Sequence, residues 1–187
     1  LRFWKKIEVP ASRLAALITD LLSLSKIESG EAYSQHQRVN LGELVLGCYQ
    51  RLGPLAETKN LQYRIHLSSD PLFILGDPEA IHQIFDNLID NAIKYTEPSG
   101  AIDVTLSRQA DLVCVDVKDT GIGIPKEDLP RIFERFYRVD KARSRELGGT
   151  GLGLSIAKHL VQALDGEILV DSDVGKGSRF TTKFPAA

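Results

Sequence analysis

A helix with two chemically different faces is the strongest constraint on the fold. From the sequence GDPEA at residues 76–80, the spacing of apolar residues predicts a helix that runs through Tyr95. At about 100° per residue, five apolar side chains share one face of this helix: Ile81, Ile84, Phe85, Leu88 and Ala92. An apolar face of this width must be buried against another layer, and we expect that layer to be a sheet.

The remaining pattern predicts the strands of that sheet and further helices. Stretches typical of strands lie at residues 61–68, 101–108, 112–119, 166–172 and 178–184. Helices are predicted at residues 41–59, at 126–136 and from the glycine-rich stretch to about residue 164. Because the strands come partly as hairpins with helices between them, we predict an α+β fold, a two-layer sandwich of a mixed, largely antiparallel sheet with helices on one face.

The N-terminal part predicts a separate helix. Five apolar residues at spacings of seven, three, four and three form a seam of the kind found in helix bundles: Ile7, Leu14, Leu17, Leu21 and Leu24. Gly30 is placed to end this helix, and Pro10 should kink its first turns. We therefore expect a bundle helix at residues 1–30, a linker at 31–40 and one domain at 41–187. The sequence contains no methionine, so we expect it to be a segment of a longer protein.

Composition excludes several classes of function. The 187 residues carry a formal net charge of −2, which gives no excess of positive charge for binding nucleic acid. Cys48 and Cys114 lie far apart in apolar surroundings and fit no metal-binding spacing. No apolar run approaches the ~18 residues of a membrane span. We expect this part of the protein to be cytoplasmic, without membrane contact of its own, whether or not the parent protein is membrane-anchored.

The second face of the two-faced helix carries two amides and an amine. In FDNLIDNAIKYT, residues 85–96, the side chains of Asn87, Asn91 and Lys94 fall within about 60° of one another. An amide oxygen can hold a hard cation without adding charge, and a lysine supplies a point charge for phosphate. The pattern suggests a surface for magnesium and phosphate. By itself, it is equally typical of a polar helix face in contact with water.

A carboxylate at the end of a predicted strand is directed inward. In LVCVDVKDTGIGIP, Asp119 has the same parity as three valines that we expect in the core. Burying a carboxylate is costly unless a hydrogen bond compensates, and an adenine amino group beside the turn at Gly121 and Gly123 would supply one. Asp119 could instead cap the turn through the N–H groups that follow it. The strand alone leaves both readings open.

A glycine-rich stretch, GGTGLGLSIAKHL, opens the next predicted helix. Its backbone N–H groups and the positive end of the helix dipole would converge where an anion could bind, and Thr150 is placed to cap the helix. The spacing does not match a Walker loop or a dinucleotide-binding GxGxxG motif. A flexible hinge is the alternative for such a connection.

These three elements, in this order, resemble the nucleotide-binding boxes of sensor histidine kinases, whose ATP-binding domain has the Bergerat fold. FDNLIDNAIKYT resembles the N box, DTGIGIP the first glycine box, IFERFYRVD the F box and GGTGLGLSIAK the second glycine box. RLAALITDLLSLSKIESG is similar to the second helix of the dimerisation and phosphoacceptor hairpin. The resemblance covers nearly the whole chain and is weakest at residues 31–75.

The resemblance implies a role for each matching residue. Asn91 would bind Mg²⁺, Asn87 and Lys94 would position the phosphates, and Asp119 would accept a hydrogen bond from adenine. Residues 138–149 would form a lid over the triphosphate. The other residues implied to contact the nucleotide are Tyr95, Gly121, Gly123, Arg138, Gly149, Thr150, Gly151, Leu152, Gly153 and Leu154. Phe133 and Phe136 are expected to anchor the lid in the core.

The resemblance also implies an activity that this chain could not complete alone. The family transfers the γ-phosphoryl group of Mg-ATP to a histidine on the first hairpin helix, and no motif of that kind is present. We expect structural roles for His36, His66, His82 and His159. The acceptor helix would lie upstream, the parent protein would be a homodimer, and a response-regulator aspartate would receive the phosphoryl group. Alternatives are an ATPase of the gyrase, mismatch-repair and chaperone type, or an interaction module without turnover.

Overall fold

Four helices and seven strands make up the part of the chain that the structure describes. The computed structural model describes residues 14–15, 17–27, 37–140 and 148–187. Helix α1 comprises the described residues between 14 and 27. The other elements are β1 (Gln37–Asn40), α2 (Leu41–Thr58), β2 (Gln62–His66), β3 (Phe73–Gly76), α3 (Pro78–Tyr95), β4 (Ala101–Gln109), β5 (Leu112–Asp119), α4 (Gly153–Ala163), β6 (Glu167–Asp173) and β7 (Gly177–Pro185).

The main sheet confirms the predicted α+β class. Its five strands lie in the order β2-β4-β5-β7-β6, with β2 parallel to β4 and the other pairs antiparallel. Val117 in the central strand β5 is opposite Val104 on one side and Phe180 on the other. Helix α3 packs against α2, α4 and β5, and its five predicted apolar residues are all buried. The core thus lies between one face of the sheet and α3.

Two short strands were not predicted. Strand β1 pairs antiparallel with β3 in a separate two-stranded sheet, with Val39 opposite Ile74. Strand β1 lies within residues 31–40, which the sequence predicted as a linker. Four-residue strands carry too little alternation to be recognised, and pairing with a partner distant in sequence decides whether they form. The position of the domain boundary stays a prediction.

The prediction of a helix at residues 126–136 is wrong. This segment is a series of turns, in which Asp128, Arg131 and Glu134 each donate a backbone hydrogen bond to the carbonyl three residues earlier. Pro130 lacks an N–H group and disfavours helical geometry in the residue before it. Phe136 has φ +63° and donates its N–H to Gly151 O at 2.8 Å, which directs the chain away from a helical path.

Helix α1 packs on the domain along only part of its predicted seam. Leu24 is 4% exposed, and Leu17 and Ile27 also contact the core. Gln83 Nε2 of α3 donates to Ser23 Oγ at 2.9 Å. The apolar residues on the other sides of α1 are exposed: Leu14, Ile18, Leu21 and Leu22. The predictions for Ile7, Pro10, Gly30 and His36 lie outside the described residues. Within the described residues, no helix is both long enough and apolar enough to cross a bilayer.

Lys59 closes the C-terminal end of α3. Its Nζ donates to three backbone carbonyls, Ile93 O at 2.8 Å, Lys94 O at 2.9 Å and Thr96 O at 3.1 Å. A cation at this position also interacts favourably with the negative end of the helix dipole. Lys59 therefore fixes the end of the helix that carries Asn91 and Lys94.

We expect Lys59→Met to lower the free energy of unfolding by about 1–3 kcal/mol, because helix-end carbonyls lose a charged donor. Urea denaturation followed by circular dichroism measures this change. Lys118→Met is the matched control, since Lys118 is exposed on β5 and has no side-chain hydrogen bond within the described residues. Equal stability of the two variants would contradict a capping role for Lys59.

Candidate functional site

The three predicted elements converge on one cavity of about 280 Å³. Helix α3, the end of β5 with the turn after it, the segment 137–140 and the glycine-rich stretch 148–154 all contribute to its wall. Of the residues proposed from sequence, those that line it are Asn87, Asn91, Lys94, Tyr95, Asp119, Gly123, Arg138, Gly149, Thr150, Gly151, Gly153 and Leu154. The part of the predicted lid at residues 141–147 lies outside the described residues.

Two of the proposed site residues lie behind the cavity wall. Leu152 is fully buried in the core and does not line the cavity. Gly121 lies under the turn, where a Cβ would come within 2.4 Å of Tyr95 O and 2.8 Å of Asp119 Oδ1. Gly121 thus allows the end of β5 to approach the end of α3 closely, which is a packing role.

Asp119 is buried, as the strand parity predicted, with 5% of its surface exposed. Its Oδ1 accepts hydrogen bonds from Gly121 N at 2.7 Å and from Ser178 N at 3.3 Å. Burial raises the pKa of this carboxyl group, and the two backbone donors partly offset that effect. Oδ1 therefore caps the turn, while Oδ2 accepts no hydrogen bond from any described residue. The carboxylate of Asp119 therefore keeps one oxygen, Oδ2, that could accept a hydrogen bond at the cavity wall.

The turn after β5 is held rigidly between α3 and the β6–β7 hairpin. Ile122 N donates to Tyr95 O at 3.2 Å, and Ile124 N donates to Ser172 Oγ at 2.9 Å. Gly123 has φ +70°, and a Cβ there would lie 2.0 Å from Asp173 O. Only glycine fits at this position. A flat group that enters the cavity would meet a preformed wall.

The polar face of α3 provides charge and amide groups at the cavity. Lys94 Nζ lies 2.6 Å from Asp90 Oδ2, and both side chains line the cavity. Asn87 Nδ2 is buried without a hydrogen-bond partner in the described structure. An unsatisfied buried donor costs about 1–3 kcal/mol unless a ligand or water accepts its hydrogen bond. Asn87 is packed against Gly153, where a Cβ would come within 3.0 Å of Asn87 Oδ1.

The start of α4 differs from the prediction for Thr150. The helix begins at Gly153, its N-cap is Leu152, and no side chain caps it. Thr150 Oγ1 instead accepts from Leu152 N at 3.2 Å, one step before the helix. The glycines on either side of Thr150 let the chain turn there, which moves the threonine out of the capping position. No side chain at the N-cap therefore accepts a hydrogen bond from the first N–H groups of α4.

The remaining predictions concern aromatic residues and histidines. Phe133 packs against Phe180 in an edge-to-face contact, as an anchor in the core would, but Phe136 is 59% exposed. His66 lies near Asp103 on the exposed face of the sheet, His82 contacts Cys48, and His159 contacts the carbonyl of Ser155. None of these three histidines lines the cavity.

Sequence reasoning missed several residues of the wall. Asp20 of α1 lines the cavity, as do Asp90, Ile132, Tyr137, Ser178 and Phe180. Asp90 lies within the polar stretch of α3 and could have been found by its spacing of four from Lys94. Asp20 lies three residues after Leu17 and four before Leu24, so its position on the seam was a signal that was not used.

The family of the chain follows from comparison with known proteins. Residues 76–187 match the family model described as histidine kinase-, DNA gyrase B-, and HSP90-like ATPase. The chain belongs to this ATPase family. The match includes α3, the Asp119 turn and the glycine-rich start of α4, and therefore most of the cavity wall.

The chain is similar to sensor histidine kinases. It is 38% identical over 186 residues to the sensor histidine kinase WalK of Bacillus subtilis (strain 168). The aligned region covers 98% of this chain and 30% of WalK. It is 39% identical over 179 residues to the sensor histidine kinase RppB of Synechocystis sp. (strain ATCC 27184 / PCC 6803 / Kazusa). The aligned region covers 96% of this chain and 39% of RppB. The chain thus spans less than half the length of both relatives.

A solved structure gives the same result for the fold. Full-length ShkA in complex with AMPPNP matches with a TM-score of 0.82 and 29% identity, over 93% of this chain and 36% of that chain. In fold and sequence, the chain is therefore similar to sensor histidine kinases within this ATPase family.

We expect Asp119→Asn to raise the free energy of unfolding at neutral pH. An amide oxygen can keep both backbone hydrogen bonds without the cost of burying charge. Because the folded-state pKa of Asp119 is raised above its unfolded value, the wild-type carboxylate destabilises the fold at pH values above the folded pKa. This cost disappears as the pH falls through the folded pKa toward the unfolded one.

Urea denaturation of both proteins between pH 3 and pH 8 measures the difference. The stability advantage of Asp119→Asn should be largest at the alkaline end and should shrink on acidification. An advantage that is constant with pH would contradict a raised pKa for Asp119.

Proposed function

We propose that this domain binds Mg-ATP in the cavity and transfers the γ-phosphoryl group to a histidine on another part of the parent protein. The observation that carries the proposal is Asp119, a buried carboxylate with one oxygen capped by backbone and the other available at the cavity wall. The full-length ShkA structure, which this chain resembles, contains AMPPNP, an ATP analogue.

The adenine end of the site is the one at Asp119. Its free oxygen would accept a hydrogen bond from the adenine amino group, and a base without that donor would leave a buried carboxylate unsatisfied. The turn through Gly123 would lie against the ring, because its backbone is exposed at the wall without a Cβ. Tyr95 lines the cavity at the end of α3, beside this turn.

The phosphate end of the site is the one at Asn87, Lys94 and the start of α4. The buried Nδ2 of Asn87 lacks an acceptor, and a phosphate oxygen would supply one. A bound phosphate would also compete with Asp90 for Lys94. The uncapped N–H groups of α4 and the positive end of its dipole favour an anion at the same place. Arg138 lines the cavity and is our candidate contact for the γ-phosphate.

The side chains at the cavity fit a magnesium ion that is bound jointly by the protein and by the phosphates of ATP. Among the described residues, no group of three or more His, Cys, Asp or Glu side chains is arranged to hold a metal. Mg²⁺ commonly uses one or two protein ligands together with phosphate oxygens and water. Asn91 would provide such a ligand through its amide oxygen, and the ion would neutralise charge on the triphosphate.

Transfer to an acceptor is favoured over hydrolysis by the amide at position 87. ATPases of the gyrase, mismatch-repair and chaperone type place a glutamate four residues before the magnesium-binding asparagine, where this chain has Asn87. An amide cannot accept a proton from water as a carboxylate does, so the cavity lacks a base at that position. Phosphoryl transfer depends mainly on positioning and charge neutralisation, which the side chains of the cavity wall would provide.

The acceptor and later partners would come from outside this chain. The three described histidines lie away from the cavity, so the acceptor would be a histidine on a neighbouring helix of the parent protein. We propose that the parent acts as a homodimer and that a response regulator accepts the phosphoryl group on an aspartate.

We expect the wild-type chain to bind Mg-ATP and Asp119→Asn to bind it at least 10-fold more weakly, because the amide cannot offer the same acceptor to adenine. Isothermal titration calorimetry measures both affinities. Asp116→Asn is the matched control, since Asp116 lies on the outer face of the same strand and bonds to Thr181. Equal affinity of wild type and Asp119→Asn would refute the adenine assignment. No binding by the folded wild type would favour an interaction module.

We expect little release of inorganic phosphate from Mg-ATP by the chain alone, and transfer of the γ-phosphoryl group when a hairpin with an acceptor histidine is added. Radiolabelled γ-phosphate follows both reactions in one assay. An acceptor in which the histidine is replaced by glutamine serves as the control. Rapid magnesium-dependent hydrolysis without an acceptor would support the ATPase alternative.

A further inference from the structure

Asp20 is a charged residue on the side of α1 that packs against the domain. Four residues of α1 at spacings of three, four and three face the domain: Leu17, Asp20, Leu24 and Ile27. Three of the four are apolar and pack on the core. The fourth brings a carboxylate to the cavity from a helix outside the residues that match the ATPase family.

The carboxylate of Asp20 is attached to the glycine-rich start of α4. Asp20 Oδ2 accepts a hydrogen bond from Thr150 Oγ1 at 2.7 Å, and that hydroxyl oxygen in turn accepts from Leu152 N at 3.2 Å. The threonine is therefore oriented with its proton toward Asp20 and its lone pair toward the start of the helix. An anion already interacts, through Thr150, with the part of the cavity to which we assign the phosphates.

The charges near Asp20 belong to the same end of the cavity. Lys94 stabilises its ionised form and Asp90 opposes it. Partial burial has the largest effect and raises the pKa of Asp20, while the hydrogen bond from Thr150 lowers it. The carboxylate of Asp20 thus interacts with Lys94, with the hydroxyl of Thr150 and, through Thr150, with the start of α4. These are the groups that we assign to the proposed phosphate site.

We propose that Asp20 is a charge-selective determinant of the nucleotide site, a carboxylate that competes with nucleotide phosphates for Thr150 and Lys94. The inference rests on the proposed function. A diphosphate or triphosphate must displace Asp20 from Thr150 or tolerate its negative charge, whereas adenosine has no charge to be repelled. Nucleotide affinity is therefore coupled to the packing of α1, since movement of this helix would carry the competing charge away.

Removing the charge tests this proposal. Like charges repel each other more strongly at a partly buried site than in bulk water. We expect Asp20→Asn to bind ADP about 10-fold more tightly than wild type in the absence of Mg²⁺, with adenosine affinity unchanged. The gain should be smaller with Mg²⁺, because the ion neutralises part of the phosphate charge. Calorimetric titrations with adenosine, ADP and Mg-ATP measure the three affinities.

Two control variants distinguish the effect of the Asp20 charge on affinity from the effect of loosening α1. Asp20→Glu keeps the charge and should retain the weaker, wild-type affinity for ADP. Ser23→Ala removes the hydrogen bond from Gln83 to α1 without changing the cavity, and should leave all three affinities unchanged. Thermal denaturation followed by circular dichroism verifies that each variant is folded at the temperature of titration.

Each outcome decides the proposal. A gain for ADP without a gain for adenosine in Asp20→Asn, absent in Asp20→Glu, supports it. A gain for adenosine equal to the gain for ADP, in Asp20→Asn or in Ser23→Ala, overturns it, because loosening of α1 would then act without regard to charge. Weaker Mg-ATP binding by Asp20→Asn also overturns it and makes Asp20 a ligand-binding group. Failure of the folded wild type to bind Mg-ATP refutes the proposed function itself, and the role of Asp20 with it.

Discussion

The burial of one carboxylate at the end of the central strand organises the site. Asp119 continues the inward row of valines on β5, and a charge there is tolerated because two backbone N–H groups converge on Oδ1. One donor comes from the turn that follows and the other from the start of β7, so the hydrogen bonds join the turn to the sheet. The second oxygen accepts no hydrogen bond from a described residue, and the ionised carboxylate destabilises the domain.

Helix α3 connects this carboxylate to the opposite end of the cavity. Its apolar face is buried between α2, α4 and the sheet, and its last turn is held by Lys59 on one side and by Ile122 on the other. The polar face that results presents Asn87 beside the start of α4 and Lys94 at the cavity wall. The same packing that stabilises the domain therefore sets the distance between the proposed base-binding and phosphate-binding ends.

Helix α1 adds a charge to a site that the ATPase domain otherwise builds by itself. Its apolar contacts hold it on the domain, and its one acidic residue on that side meets the glycine-rich stretch through Thr150. In the relatives, this domain is less than half of a longer protein. A movement of α1 in such a protein would change the electrostatics of the proposed nucleotide site without altering the ATPase domain itself.

The sequence by itself determined the α+β class, the long helices, the central hairpin and the residue types of the site, because these depend on local periodicity. The inward direction of Asp119 followed from strand parity, and the two faces of α3 followed from helical spacing. Tertiary structure decided what periodicity does not encode. It paired β1 with β3, replaced the helix at 126–136 by turns, moved the N-cap of α4 from Thr150 to Leu152, and buried Leu152 in the core. It also brought Asp20 to Thr150, a contact across 130 positions of sequence. Such contacts depend on how separate elements pack together, and the spacing of residues within one element carries no information about that.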